Sequence, residues 1–242
     1  MIRIMETVIF EVFGDLALFR KFYTNTSILT YPFPPPTATL GIIGAIVGIE
    51  KEKLFDTLSN VEVAISIVEP IRKIRFSLNY INTKDRTFTL KRGRTQIPTE
   101  FIKSPHYRIY VRNLDRELNS KFVSLLQNHK SIFIPYLGIS ELFCNFSFVG
   151  KEESEDLIAK EEVEVSSVVP LDEVTVVPKK EGQKLLKERV PHAMNSERLV
   201  IKYSDVVLDE EANKILIKGS YSRVGKENVV FFKPIRAFLT SW

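Results

Sequence analysis

Basic side chains alternate with aromatic ones between residues 84 and 101, and this combination is suited to binding a nucleic acid. Phe88 and Phe101 lie among five Lys and Arg residues. Cationic groups neutralise phosphates while aromatic rings stack on unpaired bases, so the pattern is typical of single-stranded nucleic acid binding. Exposed charge on an ordinary hairpin would give the same composition. The five basic residues are Lys84, Arg86, Lys91, Arg92 and Arg94.

The positive charge of the chain is concentrated in one segment. The formal net charge is +4. Residues 71–112 contain eleven Lys or Arg and two acidic residues, so this segment carries +9 and the remainder −5. Such asymmetry indicates a polyanion-binding site. Residues 150–173 are acidic instead, and this run predicts a solvated boundary between two parts of the chain.

The pattern in residues 107–112 predicts a strand with two different faces. Alternation places Tyr107, Ile109 and Val111 on the core face. Arg108 and Tyr110 then lie on the opposite face together with Arg112, where they are candidates for contacts with RNA phosphates and bases. A solvated sheet face would have the same composition. No RNP1 sequence is present, so base stacking of the usual RRM kind is not predicted.

Catalytic and metal-binding patterns are weak. His106, His129 and His192 are scattered, and no Cys or carboxylate accompanies them at metal-ligand spacing. The sequence contains neither a P-loop nor a dinucleotide-binding fingerprint. We therefore expect no metal and no cofactor.

The hydrophobic pattern predicts an α+β protein with two domains. Strands and helices alternate in the order strand, helix, strand, strand, helix, strand, which is the ferredoxin-like (RRM-like) order. We assign this domain to residues 1–150, with a basic β-hairpin thumb inserted at about residues 81–105. Residues 151–242 form a smaller β-rich C-terminal domain. The N-terminal elements are expected at residues 4–13, 37–49, 61–69, 107–112, 115–128 and 142–149.

A proline run precedes the first predicted helix. Prolines end an extended arm, and Thr37 is the expected N-cap. Gly41, Gly44, Ala45 and Gly48 recur at helical spacing, which predicts a narrow face that another backbone can approach. Such a helix could also receive phosphate at its N-terminus.

Cysteine use and hydropathy restrict the compartment. Cys144 is the only cysteine, so no internal disulfide forms, and a reducing cytoplasm is expected. The longest strongly apolar run, residues 40–49, is shorter than the ~20 residues that a membrane span needs. We therefore expect no membrane association.

Several motifs resemble the CRISPR-associated Cas-five family of the RAMP superfamily. They are FGDLALFRKF at residues 13–22, FPPPT at 33–37, GIIGAIVG at 41–48, PHYRIY at 105–110 and PYLGISE at 135–141. The match covers about the first 150 residues in the expected order. In this family the first arm lies near the guide RNA, which makes Arg20, Lys21 and Tyr23 further candidate RNA contacts.

The resemblance implies a non-catalytic subunit of a type I CRISPR interference (Cascade) complex. Such a subunit holds the 5′ handle of crRNA and caps the row of Cas-seven-type backbone subunits. It also contacts the large Cas-eight-type subunit. Subtype I-A or I-B is expected from the style of the motifs.

An enzyme is the alternative. One branch of the family cleaves precursor crRNA without metal, using Tyr, Lys and His as acid–base groups. This chain has His129 next to Lys130 in the reverse of that branch's order, and His106 close to Lys103. A metal-independent endoribonuclease therefore remains an open hypothesis.

Overall fold

Strands dominate the secondary structure of the computed structural model, which describes residues 4–24, 26–81, 94–172, 174–178 and 183–239. The first part of the chain contains β1 (Ile4–Phe13), β2 (Leu16–Ala17), β3 (Phe19–Arg20), β4 (Thr30–Tyr31), α1 (Pro36–Val47), α2 (Leu54–Thr57), β5 (Glu62–Ile67), β6 (Arg72–Ile81), β7 (Arg94–Lys103), β8 (His106–Arg112) and α3 (Arg116–Gln127). The second part contains β9 (Asn145–Val165), β10 (Val169–Pro170), β11 (Val174–Val177), β12 (Leu185–Met194), β13 (Val200–Asp209), β14 (Ile215–Val224), β15 (Glu227–Val229) and α4 (Arg236–Leu239).

A curled antiparallel sheet forms the centre of the molecule. Its strands follow the order β11-β14-β9-β1-β8-β5, and β15 pairs with β14 at one end. Strand β9 is 21 residues long, and it pairs with β1 along its first half and with β14 along its second. The acidic run after residue 150 is therefore part of a strand rather than a linker. The two-domain division stays a prediction, and β9 crosses its boundary without a break.

Helices α1 and α3 cover one face of this sheet. Tyr107, Ile109 and Val111 of β8 are buried beneath them, as the alternation predicted. The rings of Phe10 and Phe122 meet edge to face with centroids 5.3 Å apart, which joins β1 to α3. None of the helices in the described ranges is long and apolar enough to cross a lipid bilayer.

The opposite face of the sheet is also covered, which the sequence did not predict. Tyr110 is 1% exposed and packs with Val224 of β14 and Val229 of β15. Arg112 is buried as well, with its guanidinium 4.0 Å from the ring centroid of Phe231. Residues that follow position 220 cover this face of the sheet. No local pattern in β8 could indicate this cover.

Strands β6 and β7 form an antiparallel hairpin in register from Arg72 opposite Lys103 to Ile81 opposite Arg94. The paired strands therefore begin at residue 72, earlier than the start of about 81 predicted for the insertion. Residues 82–93 between the two strands lie outside the described residues. The base of the hairpin packs on Leu18 and Ile28 through the buried ring of Phe101, so its orientation is fixed by a hydrophobic cluster.

Helix α1 begins differently from the prediction. Its N-cap residue is Pro35, and no side chain caps the helix. Thr37 is therefore not the N-cap. Thr39 is buried instead, and its Oγ1 lies 3.1 Å from the carbonyl oxygen of Pro34. At the other end Gly48 adopts φ 80°, the left-handed conformation that glycine reaches without strain.

The small-residue face of α1 meets side chains more than backbone. A Cβ on Gly44 would lie 2.2 Å from Leu54 Cδ1, whereas a Cβ on Gly41 would have nothing within 4 Å. Among the described residues, another backbone bonds to this face at the end of the helix, where Phe133 N–H donates to the carbonyl of Ala45 over 2.9 Å. The predicted row of close backbone contacts is therefore wrong along most of its length.

Strand β12 was missed by sequence reasoning. Its residues LLKERVPHAM contain two adjacent leucines, two basic residues and a proline, which disrupt the alternation of a strand. Proline is tolerated in a strand at an irregularity of pairing. The register of β12 with β13 shifts between Pro191 and Ala193, so the proline lies where the strand pairing is already broken.

Candidate nucleic-acid interface

The β6–β7 hairpin carries exposed cations and exposed rings together. Arg72, Lys73 and Arg75 of β6 are exposed. Phe76 and Tyr80 are 42% and 41% exposed. Successive side chains of a strand point to opposite faces, so Arg72 shares a face with both rings while Lys73 and Arg75 lie on the other face. The hairpin therefore offers phosphate neutralisation on both faces and base stacking on one.

A buried partner holds Phe76 in place. Its ring stacks on that of Phe101, with centroids 4.3 Å apart and planes 5° from parallel. Phe101 is buried in the cluster at the base of the hairpin. Phe76 therefore presents one face of its ring from a fixed position, which reduces the entropy lost on binding.

Part of the hairpin charge is balanced within the protein. Glu100 is buried, and its Oε2 accepts a hydrogen bond from Arg75 Nη2 at 2.9 Å, while Lys73 Nζ lies 3.5 Å from Oε1. Burial raises the pKa of Glu100, but the hydrogen bond from Arg75 and the charges of Lys73 and Arg75 outweigh it and lower the pKa. Glu100 is therefore ionised at neutral pH and anchors the inner part of the hairpin.

Most of the predicted hairpin candidates fall between these strands. Lys84, Arg86, Lys91 and Arg92 lie outside the described residues, as does Phe88. Arg94 begins β7 opposite Ile81. Sequence reasoning named these residues and overlooked Phe76 and Tyr80, although residues 74, 76, 78 and 80 form an alternating apolar pattern that could have identified them.

Arg108 lies at the edge of the basic segment, and its charge is already paired. Its Nη2 donates to Glu11 Oε1 at 2.7 Å, and His106 Nε2 lies 3.0 Å from Glu11 Oε2. Burial raises the pKa of Glu11, but hydrogen bonds from Arg108 and His106 outweigh it and lower the pKa. A phosphate at Arg108 would have to compete with this carboxylate.

Tyr110 does not belong to an open surface. Its ring is enclosed by the chain that crosses this face of the sheet, so it has no free face for a base. Its neighbour Arg112 donates to Asp156 Oδ1 over 2.7 Å, and its Nη2 lies 2.6 Å from Glu62 Oε2. The prediction that Tyr110 binds RNA conflicts with this burial, which comes from chain distant in sequence and is not visible in the pattern of β8.

The three candidates of the first arm separate in the structure. Lys21 is buried in an ion pair with Glu188 of β12. Arg20 is exposed, and its Nη2 donates to the carbonyl of Thr24 over 3.1 Å. Tyr23 is exposed beside Phe22. Arg20 and Tyr23 are therefore available to a ligand, whereas Lys21 has a structural partner.

Histidines and metal-ligating groups are the described side chains that bear on catalysis. Within those ranges no group of three or more His, Cys, Asp or Glu is arranged to hold a metal ion. His129 stacks on Phe146, and His192 is buried with both ring nitrogens in hydrogen bonds. Among the described histidines, only His106 combines partial exposure with a neighbouring carboxylate, that of Glu11, an arrangement that suits a general acid or base.

Comparison with known proteins gives a family and a fold. Residues 7–204 match the model of the family described as CRISPR-associated protein (Cas_Cas5). No curated protein matches the chain in sequence.

The solved structures that resemble the chain include three from CRISPR systems. A CRISPR protein from Archaeoglobus fulgidus shares 15% identity over 96% of this chain and 99% of its own, with a TM-score of 0.53. A chain from a CRISPR RNA-guided surveillance complex shares 11% identity over 87% of this chain and 91% of its own, with a TM-score of 0.52. A chain from the type III-B Cmr-beta complex bound to cognate target RNA and AMPPnP shares 10% identity, covering 87% and 86%, with a TM-score of 0.50. At these identities the similarity is one of fold.

Proposed function

Because the chain belongs to the Cas5 family of CRISPR-associated proteins, we propose that it is the RNA-binding subunit of a type I Cascade complex that holds the 5′ handle of crRNA. The observation that carries this proposal is the hairpin, which has exposed cations and two exposed rings, one of them, Phe76, held in place by stacking on Phe101. Similarity in fold to chains of a CRISPR RNA-guided surveillance complex and of an RNA-bound Cmr-beta complex supports it.

The strand order supports a ferredoxin-like centre for this subunit. Strands β9, β1, β8 and β5 are neighbours in that order, and in the chain α1 comes after β1 and α3 comes after β8. This order is the one expected of a split βαβ arrangement, which supports the proposal. The β6–β7 hairpin is inserted between β5 and β8, which corresponds to the position of the proposed thumb.

An exposed apolar segment supports contacts with other subunits. Ile132, Phe133, Ile134, Tyr136 and Phe143 are all exposed after α3, and Ile134 is 69% exposed. Apolar surface of this kind marks protein interfaces more often than free surface. We assign it to the other subunits of the complex, a Cas-seven-type backbone subunit and a large Cas-eight-type subunit.

Co-expression with the other subunits of the proposed complex and with a CRISPR repeat array tests the proposal. The purified complex should contain repeat-derived RNA, and ultraviolet cross-linking should join that RNA to peptides from the hairpin and from the first arm. Peptides from α3, which carries none of the proposed RNA contacts, serve as the internal control. An RNA-free complex, or cross-links confined to α3, would refute the RNA-holding role.

Endoribonuclease activity is the alternative function, and the His106–Glu11 pair is the observation that favours it. Incubation of purified protein with a repeat-containing transcript in EDTA tests it. Our proposal expects an intact transcript. Cleavage within the repeat that disappears in His106→Ala but persists in His129→Ala would replace the non-catalytic role with the enzymatic one.

A further inference from the structure

Three aromatic rings meet at the surface where the first arm touches the C-terminal strands. Phe22 and Tyr23 lie edge to face with centroids 5.2 Å apart, and Phe22 reaches Tyr203 of β13 with centroids 4.7 Å apart. Phe22 and Tyr23 are 57% and 54% exposed. We call Phe22, Tyr23 and Tyr203 the aromatic platform. Tyr203 comes 180 residues after Tyr23 in the sequence, so no local pattern could reveal the platform.

Buried contacts hold the platform in place from below. Lys21 forms its ion pair with Glu188 of β12, and its Nζ lies 5.6 Å from the centroid of Tyr31. Tyr31 Oη donates to the carbonyl of Arg189 over 3.0 Å. The arm is thus fastened to β12 on both sides of the exposed rings. A ligand that stacks here meets rings that are already positioned, which lowers the entropy cost of binding.

A guanidinium group without a carboxylate partner stands beside the platform. Arg189 is exposed, and its Cζ lies 5.7 Å from the ring centroid of Tyr203. Its neighbours Lys187 and Lys202 are paired with Asp205 at 3.0 Å and Asp172 at 3.7 Å. In the described part of the chain Arg189 makes no ion pair. Its charge is therefore available to a phosphate adjoining a stacked base.

We propose that the aromatic platform and Arg189 form a stacking site for unpaired bases of single-stranded RNA. The inference rests on the proposed function and extends the RNA-binding surface to the C-terminal half of the chain. Exposed rings beside an unpaired guanidinium match the π-face and the phosphate of a nucleotide. The guanidinium of Arg189 beside Tyr203 makes the surface complementary to a nucleotide, which carries a phosphate next to a base. This complementarity favours RNA over a protein as the occupant of the platform.

Base stacking and phosphate binding are separated by the choice of probe. One probe is a fluorescently labelled single-stranded oligoribonucleotide, and the other is an abasic oligomer with the same backbone. Full-length Phe22→Leu and Tyr203→Leu keep apolar bulk without a ring. Each should weaken binding of the base-containing RNA at least about fivefold, the lower end of what one stacked base contributes. Binding of the abasic oligomer should not change.

Two further variants serve as controls. Tyr203→Phe keeps the ring and should bind the base-containing RNA like the wild type. Phe133→Leu removes an exposed ring that is not part of the platform and should have no effect on RNA. Melting temperatures of all variants establish that each is folded.

Each of the remaining outcomes has a defined meaning. If both leucine variants bind the RNA as tightly as the wild type does, the platform is refuted and the RNA-holding role stands. Equal losses for the two probes would overturn stacking as the mechanism. Loss of a partner subunit from the co-expressed complex with unchanged RNA affinity would reassign the platform to a protein interface. A wild-type protein that binds neither probe would refute the proposed function itself.

Discussion

Arg20 and Lys21 are neighbours in the sequence, yet the structure gives their charges different surroundings. Arg20 is exposed and bonds only to a backbone carbonyl among the described residues, whereas Lys21 is buried against Glu188. Burial lowers the pKa of Lys21, but the hydrogen bond and the charge of Glu188 outweigh it and raise the pKa. Sequence reasoning assigned both residues to RNA because Glu188 is distant in the chain and its approach cannot be inferred locally.

Alanine substitutions of these two residues should separate stability from RNA binding. Lys21→Ala leaves Glu188 buried without its cation, which should cost about 3–5 kcal/mol of unfolding free energy. Arg20→Ala should change stability by less than about 0.5 kcal/mol and reduce affinity for single-stranded RNA. Urea denaturation and RNA titration measure the two effects. A Lys21→Ala protein as stable as wild type would show that the buried pair has no structural role.

His192 should make stability depend on pH. Its Nε2 donates to the carbonyl of Lys233 over 2.8 Å, and its Nδ1 lies 2.7 Å from Ser204 Oγ, whose hydroxyl donates to Asp172 Oδ2 over 3.1 Å. Burial lowers the pKa of His192 below its ordinary 6.5, a shift partly opposed by the backbone carbonyl and by Asp172. The unfolded chain therefore binds the proton more readily than the folded one, and stability falls as pH drops below about 6.5.

Thermal unfolding between pH 5 and pH 8 tests this protonation. The wild-type melting temperature should be highest above the ordinary histidine pKa and should fall on acidification. His192→Gln should be less stable at neutral pH, because one buried partner loses its bond, and its melting temperature should vary less across this range. Parallel pH profiles for the two proteins would mean that His192 is not the responsible group.

At the scale of secondary-structure elements, periodicity predicted most of the N-terminal part. Strand β1, helices α1 and α3 and the core face of β8 each have an uninterrupted apolar pattern, and each was located within a few residues. Elements whose position depends on residues distant in the chain are harder to predict from periodicity. Strand β12 was missed because Pro191 breaks its pattern, and β9 was divided because its second half is acidic where it is exposed.

Helix α1 offers a matched test of its glycines. Gly41→Ala should stabilise the protein by up to about 1 kcal/mol, because alanine favours helix and nothing within 4 Å meets the new methyl. Gly44→Ala places a Cβ 2.2 Å from Leu54 Cδ1, so Leu54 must move, and overpacking typically costs about 1–3 kcal/mol. Denaturation midpoints compare the two. Equal effects of both substitutions would contradict the packing described for this helix.

At the scale of the whole molecule, charge placement was the most informative part of the sequence. The +9 carried by residues 71–112 predicted a polyanion-binding region, and the exposed cations of β6 lie within it. Composition could not predict which cations are neutralised. Glu100, Glu11 and Glu62 bind Arg75, Arg108 and Arg112, and these pairings depend on strand register, which is set by the tertiary fold.

The salt dependence of RNA binding tests the central claim, that the basic hairpin follows the RNA backbone. Each phosphate neutralised on a single strand contributes about −0.7 to the slope of log affinity against log salt concentration. The test variant replaces Lys84, Arg86, Lys91 and Arg92 with alanine. Its control replaces four exposed lysines near the helices, Lys51, Lys53, Lys121 and Lys130, and so changes the net charge equally.

Wild type and control should show the same steep slope for a single-stranded oligoribonucleotide. The hairpin variant should bind more weakly, with a slope shallower by about 0.7 for each phosphate contact removed. Identical slopes and affinities for the hairpin variant and the control would contradict the account, because position on the hairpin would then have no influence on RNA binding.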